Sequence, residues 1–193
     1  LANAANKIQI HRGPDNQSVW NDDTIALAHQ RLSIIDLSSN SNQPFVKKNL
    51  IIIFNGEIYN YKELKENFLK NVKFKTTSDT EVVLAALNYW GINKAVTKFN
   101  GMWAIAWLDK VNKCLWLSRD RVGKKPLYYI CDGNSLIFAS ELKTILTLSD
   151  TKFQLNYENK VIGKQKNQIN FQRDDLERVY ESRTFCLLSD IEK

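Results

Sequence analysis

The chain contains few residues of the kinds that build cross-linked or metal-bound folds. Its 193 residues include three cysteines, two histidines and no Cys-x-x-Cys pair, so neither a disulfide framework nor a zinc site is indicated. An odd number of widely spaced cysteines is typical of a reducing compartment, and we expect a cytoplasmic protein. No apolar run approaches the roughly 18 residues that a membrane span needs, so no membrane partner is expected.

The sequence also lacks blocks of one charge. The formal net charge is +6 and the isoelectric point is about 9.1, but 27 basic and 21 acidic residues are largely interspersed. A basic nucleic-acid module would need its basic residues grouped on one face. Dispersed charge favours simple solubility, and no nucleic-acid partner is expected.

The chain is long enough, and at 44% hydrophobic apolar enough, to fold as one domain of ordinary size. Its pattern changes near residue 148, after which the sequence is polar with weak periodicity. We therefore predict a folded domain over residues 1–148. Residues 149–193 are predicted to be a linker or part of a following element.

Apolar segments predict several strands. Residues 25–36, IALAHQRLSIID, indicate a strand followed by a second strand or a bent strand, and residues 50–54, LIIIF, have no polar face. Residues 101–109, GMWAIAWLD, are also apolar on both faces, so both segments need cover on two sides. Short turns between the later strands favour antiparallel pairing. Two packed sheets with helices outside satisfy these demands, which predicts an α+β fold.

Two capping-box patterns predict helices in mid-chain. Asn60 precedes Glu63 by three residues, and Ser78 precedes Glu81 by three, each ahead of apolar residues at helical spacing. Gly91 is the expected end of the second helix.

Polar residues that follow buried strands are the candidate site. Asn55, Gly56 and Glu57 come directly after LIIIF, where a side-chain amide and a glycine N–H can form an oxyanion hole; the alternative is a plain turn. Arg31 separates two apolar segments and can clamp a carboxylate, or it forms a structural ion pair. Asp79 lies in the first turn of a predicted helix, where a carboxylate stays ionised and can hold an ammonium group; the alternative is an ordinary helix-start acid. Together these charges suit a zwitterionic amino acid.

Seven segments carry a resemblance to a known family over about three quarters of the chain. They are HRGPD at 11–15, LAHQRLSIID at 27–36, FNGEIYNY at 54–61, TTSDTEVVLAAL at 76–87, FNGMWAIAWLD at 99–109, LSRDRVGKKPLYY at 117–129 and FASELKTIL at 138–146. In this order they resemble the glutaminase domain of asparagine synthetases. Other class II glutamine amidotransferases share the fold but do not read NGEIYN followed by SDTE.

The resemblance implies a four-layer αββα sandwich of the Ntn-hydrolase type that binds L-glutamine and releases glutamate and ammonia. Arg31 would bind the α-carboxylate, with backbone contributions from Leu32, Ile34 and Ile35. Asp79 and Glu57 would hold the α-amino group. Asn55 and Gly56 would form the oxyanion hole.

The family nucleophile is a cysteine at the mature N-terminus, and this sequence begins instead at Leu1. The expectation is therefore an N-terminally truncated domain that is inactive by itself. The pyrophosphate-binding loop of the family's synthetase domain is also absent. No cofactor is expected here, ATP and magnesium belonging to that synthetase domain.

Three questions stay open at this point. The acceptor of the ammonia is aspartate by family default, but related enzymes amidate other carboxylates. A non-catalytic Ntn-like domain that only supports an amide-forming synthetase is the alternative function. Association into a homodimer is also open.

Overall fold

A computed structural model describes residues 1–131, 135–149, 179–181 and 184–186, the last two ranges as backbone. The strands are β1 (Asn16–Asn21), β2 (Ala26–Arg31), β3 (Phe45–Lys47), β4 (Leu50–Ile58), β5 (Gly101–Asp109), β6 (Cys114–Arg119), β7 (Tyr128–Cys131), β8 (Leu136–Ala139), β9 (Val179–Glu181) and β10 (Thr184–Cys186). The helices are α1 (Ala2–Ile8), α2 (Tyr61–Phe68), α3 (Asp79–Trp90), α4 (Ile92–Lys98) and α5 (Leu142–Leu148). Among these residues no helix has the length and apolarity to cross a membrane.

The central layer is a five-stranded antiparallel sheet in the order β10-β6-β5-β4-β3. Its strands β4 and β5 are the fully apolar segments of the sequence, and they pair along their whole lengths from Leu50 opposite Asp109 to Ile58 opposite Gly101. This central position explains why both of their faces are apolar.

A second layer covers one face of this sheet and consists of two pieces, the hairpin β1-β2 and the antiparallel sheet β8-β7-β9. Buried apolar residues of β2 and β7 pack with Ile51 and Leu117 of the central sheet between the two layers. The other face of the central sheet packs against α2, α3 and α4. On the outer side of the second layer, α5 packs on β7 and β8, and α1 contacts β1 and β2. The layers are thus helix, sheet, sheet, helix, as predicted.

Two sequence-based expectations need correction. The apolar residues after Arg31 form a loop rather than a second strand, and Leu32, Ile34 and Leu37 are exposed there. Cys114 is disulfide-bonded, whereas Cys131 has a free thiol. The number and spacing of the cysteines did not predict this disulfide, because spacing in sequence does not determine which thiols lie close together in the fold.

Most of residues 149–193 lie outside the described residues, so the predicted boundary at residue 148 and the linker stay predictions. The described part nevertheless contains β9 paired with β7 and β10 paired with β6.

Candidate functional site

The β4 strand does not end where the apolar run ends. Asn55, Gly56 and Glu57 continue the strand and pair with β5 residues as far as Ile58, so the expected end of the strand after Phe54 is wrong, and so is the alternative of a plain turn. Side chains alternate along a strand, and Phe54 and Ile58 pack among the helix-facing residues. Asn55 and Glu57 therefore share the opposite face with Ile51 and point between the two sheets. The polar pair is a continuation of the buried inner stripe.

Gly56 is required by the close approach of β5. A Cβ at this position would lie 2.2 Å from the Met102 carbonyl oxygen and 2.8 Å from the Trp103 Cα, distances that no side chain tolerates. A glycine here is thus a packing necessity.

The antiparallel register also gives the direction of the Gly56 N–H. Tyr59 N donates to Asn100 O at 2.8 Å and Lys110 N donates to Asn49 O at 3.0 Å, so odd-numbered positions of β4 exchange bonds with β5. Even-numbered N–H groups point to the other edge, where Gln43 Oε1 accepts from Phe54 N at 2.6 Å. Asp79 Oδ2 accepts from Ile58 N at 3.0 Å on the same edge. The Gly56 N–H lies between these two and points to the edge that β5 does not occupy.

Arg31 ends β2, and the residue is 7% exposed. Its Nη1 donates to Ser38 O at 2.8 Å and to Asn42 Oδ1 at 2.7 Å, and its Nη2 donates to the Asp36 carbonyl. None of the ion pairs between described residues includes Arg31. A guanidinium has five N–H donors, so Nε–H and one Nη2–H remain beyond these three bonds. A buried cation held only by neutral acceptors suits an anionic ligand.

Asp79 lies in the first turn of α3 and is 5% exposed. Burial, reinforced by the nearby Glu57 charge, raises the pKa of Asp79 to about 6, although the Ile58 N–H opposes this. A carboxylate in this state gains most from a cation that replaces its lost hydration. Asp79 and Glu57 together form an acidic pocket suited to an ammonium group.

One cavity of about 550 Å³ brings all of these residues together. The eight residues that the sequence predicted for the site line it: Arg31, Leu32, Ile34, Ile35, Asn55, Gly56, Glu57 and Asp79. Residues of β2, β4, β5 and β8 form its walls between the two layers. Neither Cys114 nor Cys131 lies among the lining residues, so neither supplies a thiol there.

Four further residues of the cavity wall were missed by sequence reasoning. Ser140 accepts a hydrogen bond from Asn55 Nδ2 at 3.3 Å, and Gln43 bridges Phe54 and Thr80. His29 lies two residues before Arg31 on the same face of β2, and burial lowers the pKa of His29 to about 4. Asp36 lies in the loop after Arg31 and also lines the cavity. His29 and Asp36 stand inside the LAHQRLSIID segment and Ser140 inside FASELKTIL, so the motifs contained the signal without assigning a contact.

The HRGPD segment has a structural role beside the cavity. A Cβ at Gly13 would lie 2.5 Å from the Arg31 carbonyl carbon, and Asp15 Oδ2 accepts from Ser33 N at 2.7 Å. His11 and Arg12 both contact the Glu141 carboxylate, at 2.8 and 3.3 Å. The segment thus holds the end of β2 and the start of the following loop. No group of three or more residues able to hold a metal ion occurs in the part of the chain that the structure describes.

Comparison with known proteins adds independent findings. A putative glutamine-hydrolysing asparagine synthetase of Methanocaldococcus jannaschii is 42% identical over 168 residues, covering 77% of this chain and 32% of that protein. Asparagine synthetase 2 of Bacillus subtilis is 43% identical over 150 residues, covering 77% of this chain and 20% of that protein. The chain therefore spans about a fifth to a third of the length of these relatives.

A solved structure, glutamine phosphoribosylpyrophosphate amidotransferase from B. subtilis, matches with a TM-score of 0.53 at 22% identity, over 62% of this chain and 28% of that one. This likeness supports the fold, a four-layer sandwich of two sheets with outer helices. The family model described as glutamine amidotransferase domain matches residues 1–181. The chain accordingly belongs to the glutamine amidotransferase domain family.

Proposed function

We propose that the cavity binds L-glutamine and that the complete protein hydrolyses the side-chain amide there. The observation that carries this proposal is the buried Arg31 guanidinium, which has no ion-pair partner among the described residues, in one cavity with the acidic pair Glu57 and Asp79. Arg31 binds the α-carboxylate, with Leu32, Ile34 and Ile35 in the adjoining loop. Asp79 and Glu57 bind the α-ammonium group.

The remaining polar groups suit the reacting amide. The Gly56 N–H on the open edge of β4 and the Asn55 side-chain amide donate to the carbonyl oxygen, and both bonds strengthen as that oxygen becomes negative. Asn55 Nδ2 has two protons, and the Ser140 hydroxyl accepts one of them, which leaves the other for the oxyanion. The nucleophile is a cysteine thiolate at the start of the mature protein, with the terminal amine as its base. Without that cysteine we expect no glutamine turnover.

The fate of the ammonia is proposed from the relatives. Proteins named glutamine-hydrolysing asparagine synthetases share 40–43% identity with this chain. We infer that a synthetase domain in the complete protein uses ATP and magnesium to amidate aspartate, and that the complete protein is the enzyme. Two copies associating as a homodimer is a further proposal, testable by sedimentation.

A cytoplasmic location is also proposed. The disulfide at Cys114 weighs against a reducing compartment. Thiol labelling before lysis measures the redox state of Cys114 in cells. A reduced thiol would support the reducing cytoplasm, and an oxidised one would support an oxidising compartment.

A domain that only supports a synthetase partner is the alternative function. Such a domain has no physical reason to keep a buried guanidinium, two acids and a free-edge glycine N–H in one cavity. The presence of all of these groups favours glutamine binding.

The test is titration calorimetry of this chain with L-glutamine. Arg31→Ala should weaken binding by roughly 30- to 1000-fold, because a charge-assisted clamp on a carboxylate is lost. Arg121→Ala, which removes an exposed guanidinium outside the cavity, is the matched control and should bind normally. Absence of L-glutamine binding by the unaltered chain would favour the support-domain alternative. Equal binding by Arg31→Ala and the unaltered chain would contradict the assignment of the α-carboxylate to Arg31.

A further inference from the structure

Asp36 connects the two charged ends of the proposed glutamine site. Its backbone carbonyl accepts from Arg31 Nη2. Its carboxylate accepts from Thr77 N at 2.8 Å and from Thr77 Oγ1 at 2.9 Å. Thr77 lies two residues before Asp79. Asp36 thus contacts Arg31, the proposed ligand of the α-carboxylate. It also contacts the segment that carries Asp79, the proposed ligand of the α-ammonium group.

The contacts of Asp36 also stabilise the intervening loop. Asp36 Oδ1 accepts from Ser38 N at 2.8 Å, and the Ser38 carbonyl in turn accepts from Arg31 Nη1 at 2.8 Å. Asp36 is 9% exposed. Hydrogen bonds from the Ser38 side chain and from the Ser38 and Thr77 N–H groups hold the pKa of Asp36 well below its ordinary value. The carboxylate therefore stays ionised under all ordinary conditions, and its bonds are charge-assisted.

Arg31 and Asp79 belong to different supports, which are also joined by an uncharged bond from Gln43 Nε2 to Thr80 Oγ1 at 3.3 Å. Arg31 ends β2 in the second layer, whereas Asp79 begins α3, which packs on the other face of the central sheet. Asp79 is held to β4 through Ile58 N. The loop after Arg31 has three exposed apolar residues, Leu32, Ile34 and Leu37, and so has little packing of its own. The Asp36–Thr77 bonds are the charged link between these two supports.

We propose that Asp36 is a positioning residue that sets the spacing between Arg31 and Asp79, and so selects ligands whose carboxylate and ammonium share one carbon. This inference rests on the proposed function. A ligand that has both a carboxylate and an ammonium group binds more tightly when the spacing between Arg31 and Asp79 is preset, because binding then costs no entropy for aligning these two residues. A ligand that uses only one group gains nothing from it.

The test compares three ligands with the unaltered chain and with Asp36→Ala, Asp36→Asn and Asp109→Ala. L-Glutamine has both charged groups, glutaramate lacks the amine, and 4-aminobutanamide lacks the carboxylate. Asp109 makes similar turn bonds to Val111 N and Asn112 N outside the cavity, so its alanine variant is the matched control. Dissociation constants are measured by ligand-observed NMR, and folding is checked by thermal melting.

We expect Asp36→Ala to weaken the binding of L-glutamine by about tenfold or more. The binding of glutaramate and of 4-aminobutanamide, which each have one charged group, should weaken by less than about twofold. Asp36→Asn keeps the shape and one acceptor and should recover part of the loss, while Asp109→Ala should bind all three normally. The positioning role is overturned if both Asp36 variants bind L-glutamine as tightly as the unaltered chain does, or if they lose the same affinity for all three ligands. Either result leaves the proposed function standing. If the unaltered chain does not bind L-glutamine, the proposed function fails and this inference with it.

Discussion

At the scale of single residues, the end of β4 carries the polar groups of the candidate site, which are Asn55, Gly56 and Glu57. The inner stripe of β4 runs Ile51, Ile53, Asn55 and Glu57. The strand keeps its pairing with β5 while its inward side chains change from apolar to polar. The polar groups are therefore held by a strand that is paired with β5 along its whole length, which gives them a rigid support.

Asn55→Ala should lower kcat by about a hundredfold or more with little change in KM, because its amide bond strengthens only as the oxyanion forms. The measurement is steady-state glutamate release by a variant that carries the proposed cysteine-bearing segment ahead of Leu1. Asn112→Ala, an exposed turn amide, is the control. A change confined to KM would make Asn55 a binding or structural residue.

Asp79 should make L-glutamine binding depend on pH. Because burial raises the pKa of Asp79 to about 6, the acid is largely neutral at pH 5 and ionised at pH 7, and only the ionised form attracts the ammonium group. Affinity for L-glutamine should therefore rise as pH increases through about 6, whereas affinity for glutaramate should not. Calorimetry from pH 5 to 7.5 measures both. Asp79→Asn should remove the rise, and its persistence in that variant would assign the titration to another group.

At the scale of elements, the start of α3 is built differently from the expected capping box. Ser78 Oγ accepts from Thr80 N at 3.1 Å, as a cap should. Glu81 does not complete the box. Its fully buried carboxylate instead accepts from Lys47 Nζ and from the N–H groups of Lys75 and Thr76, each at 2.9 Å. Burial raises the pKa of Glu81, but these bonds outweigh it and the net pKa is lowered.

Glu81→Gln should lower the free energy of unfolding by about 2–4 kcal/mol, since a buried charge-assisted network loses its anion and the new amide N–H₂ faces backbone donors. Urea unfolding at pH 7 measures the change. Glu63→Gln, at an exposed position in the first turn of α2, should alter stability by less than about 0.5 kcal/mol. Equal effects of the two substitutions would contradict the buried network.

At the scale of the whole molecule, the layers enclose two buried titratable groups with opposite effects on stability. The folded pKa of Asp79, about 6, lies above the ordinary 3.8, so between these values the folded state binds more protons and stability falls as pH rises. The folded pKa of His29, about 4, lies below the ordinary 6.5, mainly through burial, so stability rises with pH over its window. Each effect amounts to roughly 3 kcal/mol.

The free energy of unfolding should therefore be nearly constant between about pH 4.5 and 6. Asp79→Asn should expose a rise with pH over this range, and His29→Gln should expose a fall. The other shifted carboxylates, Asp22, Asp36, Glu81 and Asp120, have lowered pKa values and so lose their stabilising effect only at more acid pH. Urea unfolding at several pH values tests this, and a parallel pH dependence in all three proteins would refute it.

Local pattern determined much of this protein by itself. The two-sided apolar runs predicted β4 and β5 as inner strands, and Ser78 caps the start of α3 as predicted. Asn60 stands at the start of α2, but the predicted cap is wrong there, because its side chain bonds Lys98 O and Asn100 N instead. The motif residues that line the cavity were also chosen from sequence. The strands and the helix starts follow from periodicity and from local residue preferences, which depend only on neighbouring residues. The cavity residues were chosen with the help of the resemblance of their motifs to a known family.

Tertiary structure alone decided the rest. The continuation of β4 through Asn55 and Gly56 depends on pairing with β5, about fifty residues away, and an Asn-Gly pair by itself favours a turn. The loop after Arg31 is no strand because its carbonyls at Asp36 and Ser38 bind the guanidinium instead of a sheet neighbour. The Glu81 carboxylate accepts a hydrogen bond from Lys47 instead of completing a capping box. The Asp36 carboxylate accepts a hydrogen bond from Thr77, forty-one residues later in the chain. Such contacts join residues distant in sequence, and only the packed layers bring them within bonding distance.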